Sequence, residues 1–246
     1  MYYDALISAA RLAQELGIPS AQSTIYSSQA KALDEAIETH FGRNISGFET
    51  YQYYEGNSTL RAWICTPLTV GLFKRSKGTI NALFSDKLWT ADGLASESGS
   101  TTFWDRATLY ALRGVFAAGE TKRAMDFLLM YSKRRLLGEH VPYPVEAYPE
   151  GNQRHLSAES ALYCRIITEG LMGIRPAGFN TFSFSPKLPE NWNSMALRNI
   201  KAFNHTFDIE VKREKNGLHV NVFHGAESFL DMQKANGETF TVHFAN

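Results

Sequence analysis

The chain has 246 residues, no formal net charge, 44% hydrophobic residues and 20% charged ones, the balance of an ordered protein and not of a disordered tail. Lys and Arg equal Asp and Glu in number and form no basic block, which excludes the electrostatic footprint of a nucleic-acid binder. No apolar stretch approaches a membrane span and no basic-then-apolar leader opens the chain, so a soluble protein without membrane contact is expected, cytoplasmic or periplasmic.

In chain order, Leu6, Ala9, Ala10, Leu12, Ala13 and Leu16 recur at helical spacing until Gly17-Ile18-Pro19 stops the run. Residues Ala21–Phe41 repeat the pattern and end at Gly42, giving a helical hairpin with alanine-rich faces suited to close packing. Asn44–Ser58 reads as a loop rich in rings, with Glu49 and Glu55 among Tyr51, Tyr53 and Tyr54. Leu60–Gly71 and Gly78–Leu88 read as short helices, the first entered or kinked at Pro67. A polar loop from Trp89 to Asp105 carries Asp92, Glu97 and Trp104, and two amphipathic helices follow over Arg106–Ala118 and Thr121–Leu137.

The stretch Gly138–Gly170 organises the rest. Pro142, Pro144, Pro149 and Gly151 make its first part a loop, and a helix begins near Ser157 with Glu159 in its first turn. The loop carries Glu146 and Glu150 among aromatic and amide side chains, and a polar loop set on a packed helix is how scaffolds commonly present a site. Glu146 is therefore the central catalytic candidate. Cys65 and Cys164 match no metal spacing and read as buried thiols. No metal-ligand cluster, glycine-rich phosphate loop or GxSxG signature is present, so no cofactor is expected.

After Arg175-Pro176-Ala177-Gly178 the period changes from 3.6 to 2, as in strands, over Thr181–Ser185, Ala196–Phe203, Thr206–Val211, Leu218–Phe223 and Thr239–Phe244. Lys215-Asn216-Gly217 signals a hairpin, and Glu227–Gly237 is too weakly patterned to assign. The expected domains are residues 1–176, helical, and 177–246, a small antiparallel sheet or sandwich.

The order of these features carries a resemblance. An acidic Asp92-Gly93…Glu97 loop precedes GSTTFWDRA; a Glu-bearing loop precedes LSAESALYCRIITEGLMGIRP; FSFSPKLPENW and strands follow. This resembles the C-terminal portion of the six-hairpin (α/α)6-barrel glycosidases, whose members include glucoamylase-like, maltose-phosphorylase-like and rhamnosidase-like enzymes. The passage from Gly173-Ile174-Arg175-Pro176 to Trp192 is its most specific part, and the motif-grade match spans about Trp89 to Trp192. The implied fold is mainly α with a C-terminal β part, a partial toroid of helical hairpins followed by a small antiparallel β-domain. A complete barrel holds six hairpins, twelve helices; about seven are legible here, so the chain is expected to be the C-terminal part of a longer enzyme, or else an unusual reduced form. A partial ring leaves apolar faces to cover, so self-association or pairing with a missing N-terminal half is expected.

The resemblance implies a glycoside hydrolase acting on an oligosaccharide or polysaccharide, in most relatives with inversion. One carboxyl group protonates the leaving oxygen while another activates water. The general base of relatives falls on Glu146, with Glu150 as the near substitute. Asp92, Glu97 and Asp105 are candidate sugar-hydroxyl ligands or further carboxylates, although Asp92 before Gly93 is equally a turn former and Asp105 a first-turn helix residue. Trp89, Trp104, Tyr143 and Tyr148 are either sugar platforms or core packing, and Arg154 and His155 are candidate substrate or carboxylate partners. The general acid lies on an earlier barrel loop, or is Glu49 or Glu55 if the site is complete. The rival reading is a non-catalytic carbohydrate-binding or assembly subunit that keeps the fold.

Overall fold

The computed structural model describes residues 1–137, 143–148 and 157–244. Helical hairpins are followed by a C-terminal antiparallel β-sheet region, and the chain divides into two compact units, Met1–Gly170 and Leu171–Asn246.

In the first unit, α1 (Tyr2–Glu15) and α2 (Ser20–Phe41) form a hairpin. Gly17, at φ 64°, turns the chain out of α1, and Pro19 precedes α2, where its missing N–H is no loss. Leu6, Ala10, Ala13 and Ala30 are buried between the helices, and the buried Ser23 hydroxyl donates to the Ala10 carbonyl at 3.1 Å. Leu12, Leu16, Ile18 and Ile25 remain exposed, so the apolar surface of this hairpin is wider than what the described residues cover.

The first part of the ring-rich segment after α2 is a hairpin and not the expected loop, β1 (Gly42–Ile45) pairing antiparallel with β2 (Phe48–Tyr51), while residues 52–58 form a loop as expected. Ser46 (φ 53°) and Gly47 (φ 91°) supply the two left-handed residues that a tight two-residue turn requires. The expected helix at Leu60 begins later. Arg61 is extended, Ala62–Cys65 is a single 3-10 turn, and α3 is only Thr66–Thr69, with Pro67 in its first turn. Then α4 (Ser76–Leu83) lies on β2, where a Cβ at Gly78 would stand 2.0 Å from the Glu49 carbonyl oxygen and where the Thr50 and Thr79 hydroxyls meet at 2.8 Å.

Two short ladder strands, β3 (Trp89–Thr90) and β4 (Gly93–Leu94), and then β5 (Phe103–Trp104) lead into α5 (Asp105–Ala117). This helix buries Ala107, Leu109, Ala111, Leu112, Val115 and Phe116, and full burial of a large apolar side chain contributes about 1.5–3 kcal/mol. Gly114 lets α3 approach it, since a Cβ there would lie 2.7 Å from the Leu68 Cβ. Next, α6 (Thr121–Tyr131) runs into a π-helical turn, Ser132–Leu136. After β6 (Ala147–Tyr148), α7 (Ser157–Arg165) is also continued by a π-helical turn, Ile166–Leu171. The expected buried thiols divide: Cys65 is buried, whereas Cys164 is exposed because α7 turns that face to solvent.

In the second unit, β7 (Arg175–Gly178) and β8 (Thr181–Phe184) form a three-stranded sheet with the last strand, in the order β13-β8-β7. The other sheet comprises β9 (Ser194–Ala202), β10 (His205–Glu214), β11 (Gly217–His224) and β12 (Glu227–Lys234), and β13 (Phe240–His243) returns to β8. Both sheets contribute to one core of Phe182, Phe184, Phe207, Ile209, Val220 and Phe240. The Glu227–Gly237 stretch left open by its pattern holds β12, an edge strand whose side chains are mostly exposed or half-buried. Arg213 ties the Pro186–Trp192 segment to β10 through the carbonyls of Leu188, Pro189 and Trp192.

Candidate functional site

Backbone hydrogen bonds stitch three loops of the first unit into a floor. Leu60–Ala62 runs beside Ser96–Ser98: Ser98 N–H donates to the Leu60 carbonyl at 2.9 Å and Ala62 N–H to the Ser96 carbonyl at 3.1 Å. Ala95 pairs with Phe103, and Ser96 N–H donates to the Thr102 carbonyl at 2.8 Å. On the other side β5 pairs with β6, Phe103 with Tyr148 and Trp104 with Ala147. Segments far apart in sequence thereby lie in the order 60–62, 95–98, 102–104 and 147–148. Neighbouring strands are about 4.8 Å apart, so two spacings, roughly 10 Å, separate the Ala95–Ser96 backbone from β6 in the hydrogen-bonding direction.

Glu146 stands at one side of this floor, just before β6, with its side chain 51% exposed. Two successive residues at the start of α5 address it. Asp105, fully buried, accepts the Val145 N–H at 2.6 Å and Arg135 Nη2 at 3.1 Å through Oδ2, while its Oδ1 lies 3.0 Å from Arg135 Nη1 in the ion pair. Burial raises its carboxyl above its ordinary value, against the pull of Arg135, the Val145 N–H and the Tyr131 hydroxyl. Arg135 is itself buried, stacks over Phe103 with 4.9 Å to the ring centre, and donates to the Asp92 carbonyl at 2.8 Å. Arg106, the next residue, points its Nε at Glu159 Oε1 at 2.6 Å and its Nη2 at Glu146 Oε1 at 3.6 Å. Glu159 is 0% exposed, and its Oε2 is buried with no hydrogen-bond partner among the described residues.

The other candidates are distributed as follows. Glu97 joins Arg61 at 2.7 Å, and Arg61 lies over the Tyr53 ring at 5.2 Å. Asp92 is engaged by Arg134 through both carboxylate oxygens. Trp89 packs on Phe127 at 3.9 Å and Phe84 at 5.1 Å between ring centres. Trp104 and Tyr143 are half-buried, and the Trp104 backbone pairs with that of Ala147, the residue after Glu146. Tyr148 is placed by its backbone pairing to Phe103; its side chain, and Glu150, Arg154 and His155, lie outside the described residues. Glu49 accepts from Asn44 at 2.7 Å and from Arg75 at 2.9 Å. The Asn44 hydrogen bond holds its carboxyl below its ordinary value, with Arg75 assisting against burial, which suits an acceptor and not a proton donor. Glu55 is exposed. In the sequence Arg135 belongs to a short basic patch with Lys133 and Arg134 near a helix end, Glu159 is a first-turn helix acid, and Arg61 and Arg106 carry no signal beyond the adjacency Asp105-Arg106. Among the described residues no group of three or more His, Cys, Asp or Glu is placed to hold a metal, and no helix is long and apolar enough to cross a membrane.

No protein-family profile matches the chain, and no curated protein matches it. Solved structures do. A chain titled "Sialidase" aligns with a TM-score of 0.68 at 16% identity, covering 98% of this chain and 26% of that one. Neutral trehalase Nth1 from Saccharomyces cerevisiae aligns with a TM-score of 0.53 at 18% identity, covering 68% of this chain and 36% of that one. At these identities the likeness is one of fold, and it includes a distant match to a trehalase, a six-hairpin α/α-barrel glycosidase, over part of the chain. The chain spans about a quarter of the first structure's length and about a third of the second's, 26% and 36%.

Proposed function

We propose that this chain is the C-terminal part of an inverting glycoside hydrolase, with Glu146 as the general base. One observation carries the reading: an exposed carboxylate on a loop whose backbone is pinned by a buried aspartate and whose side chain faces an arginine. In the proposed step Glu146 takes a proton from water as the water oxygen bonds the anomeric carbon, the glycosidic C–O bond breaks, and a second carboxyl group protonates the departing oxygen. Glu97, held by Arg61, serves as an acceptor for sugar hydroxyls, and Trp104 offers a ring to a sugar C–H face. Asp105 is enclosed and acts on the loop, not on the sugar.

In this reading the proton donor lies on another segment. Asp92 and Glu97 are ion-paired, and Glu49 is held in its charged form. Exposed Leu12, Leu16, Ile18 and Ile25 on the α1–α2 hairpin supply the apolar surface against which a missing N-terminal half, or a second copy, would pack. The same ion-pairing favours the alternative, a non-catalytic carbohydrate-binding or assembly subunit that keeps one carboxylate of the pair.

The deciding experiment is turnover by the chain, alone and with the product of any adjacent upstream gene. The panel is one of aryl glycosides and oligosaccharides that includes trehalose and an aryl sialoside, with the anomer first released read by proton NMR. Release of the inverted anomer is expected. Binding without turnover in every combination would favour the non-catalytic alternative, and release of the retained anomer would exclude single-step inversion with Glu146 as its base.

A further inference from the structure

Arg106 is shared between two carboxylates of opposite character. Glu159, in the first turn of α7, is completely enclosed and takes the Nε of Arg106 at 2.6 Å; Glu146 is half exposed and faces Nη2 at 3.6 Å. A guanidinium is a rigid planar fork, so fixing Nε fixes the direction of Nη2. A buried carboxylate with one oxygen unpartnered among the described residues gives Nε a strong reason to stay, because leaving it would uncover an uncompensated charge. The longer, exposed contact to Glu146 is weak as a stabilising ion pair, and its consequence is orientation.

We propose that Arg106, anchored by Glu159, is a positioning residue that aims the Glu146 carboxylate, so that α5 sets the side chain of the proposed base through Arg106 as it sets the backbone through Asp105. The proposal rests on the reading of Glu146 as the base. It gives Glu159 a role that requires its complete burial: a solvated carboxylate would not hold the fork in one direction. Lys in place of Arg106 would satisfy Glu159 as a point charge but offers no rigid second donor to Glu146.

The test uses Arg106→Met, Arg106→Lys and the double variant Arg106→Met/Glu159→Leu. The single Met variant strands a buried carboxylate and is expected to lose stability. The double variant removes both charges and is expected to recover it. The structural readout is a crystal structure of the double variant, in which Val145 N–H should remain on Asp105 while the Glu146 carboxylate moves by about 1 Å or more, a displacement that can cost about 10²-fold in rate. The kinetic readout, on the aryl glycoside best cleaved by the wild type, is a fall in kcat of about 10²-fold with KM within about threefold, in the double and Lys variants alike. A double variant that regains wild-type stability and wild-type kcat, or one whose Glu146 carboxylate has not moved, would overturn the proposal and leave Arg106 a fold-stabilising residue. Failure of the underlying reading is distinct: it appears as wild-type turnover in Glu146→Gln, whatever Arg106 does.

Discussion

Asp105 Oδ2 accepts the backbone N–H of Val145 at 2.6 Å, so the first residue of α5 fixes the chain one position before Glu146. Removing that acceptor leaves the Val145 N–H and the enclosed Arg135 without it. Asp105→Ala is therefore expected to lower unfolding stability by about 3–5 kcal/mol in urea titrations. Asp105→Asn keeps an acceptor oxygen for Val145 and is expected to cost less. Equal costs would show that the hydrogen bond to Val145 contributes little.

The same residue gives a pH dependence. Burial raises the folded-state carboxyl of Asp105 above its ordinary 3.8, so over that window the native state binds the proton more tightly than the unfolded chain. Its contribution to stability is fully present below the unfolded value and is lost as pH rises through the folded value. Asp105→Asn has no such term. The stability difference between wild type and Asp105→Asn is expected to shift against the wild type as pH rises above about 4. A shift in the wild type's favour would mean that Arg135 outweighs burial.

Gly78→Ala tests the seating of α4 on β2. The added Cβ would meet the Glu49 carbonyl at 2.0 Å, which is backbone and cannot swing aside. Separation of the two elements, with loss of the Thr50–Thr79 hydroxyl bond, is expected to cost about 1–3 kcal/mol. Unchanged thermal unfolding would contradict this close approach.

The two thiols are expected to differ in reactivity. Cys65 is fully enclosed and burial pushes its thiol up to about 12, whereas Cys164 is exposed on α7. A chromogenic disulfide reagent should label Cys164 in the native protein and Cys65 only on unfolding; rapid native labelling of both would contradict the packing around α3 and α5.

Much of this architecture was legible in the sequence because it follows from spacing. The α1–α2 hairpin, α5, α6 and the change to a period of 2 before β8 need only the apolar pattern, and Gly17 and Pro19 mark the first turn. What the pattern hid depends on single backbone angles or on distant partners. The β1–β2 hairpin turns on Ser46-Gly47, and β9–β10 on Phe203 and Asn204 at φ 55° and 59°, where a phenylalanine gives no warning of a left-handed residue. Arg61 looked helical until its pairing with Glu97 made it extended. Of the proposed site, Glu146 was visible through its proline-stiffened loop. Arg106 and Glu159 lie 53 residues apart, and no local period could bring them together.

The exposed hairpin surface yields a solution test. Leu12→Lys and Ile25→Lys sit on exposed positions, where substitution ordinarily changes stability by less than about 0.5 kcal/mol. Light scattering should show an associated species for the wild type, or with its partner segment, that these variants lose without a fall in stability. An unchanged mass would place the pairing surface elsewhere.

The most direct test of the central proposal is the turnover of Glu146→Gln on the aryl glycoside best cleaved by the wild type, with thermal unfolding measured on the same sample. Glu146 is half exposed, so the amide should leave the fold intact. Loss of a general base is expected to lower kcat by about 10²–10⁴-fold at unchanged stability. Turnover within about threefold of the wild type would contradict the assignment and move the base to another carboxylate.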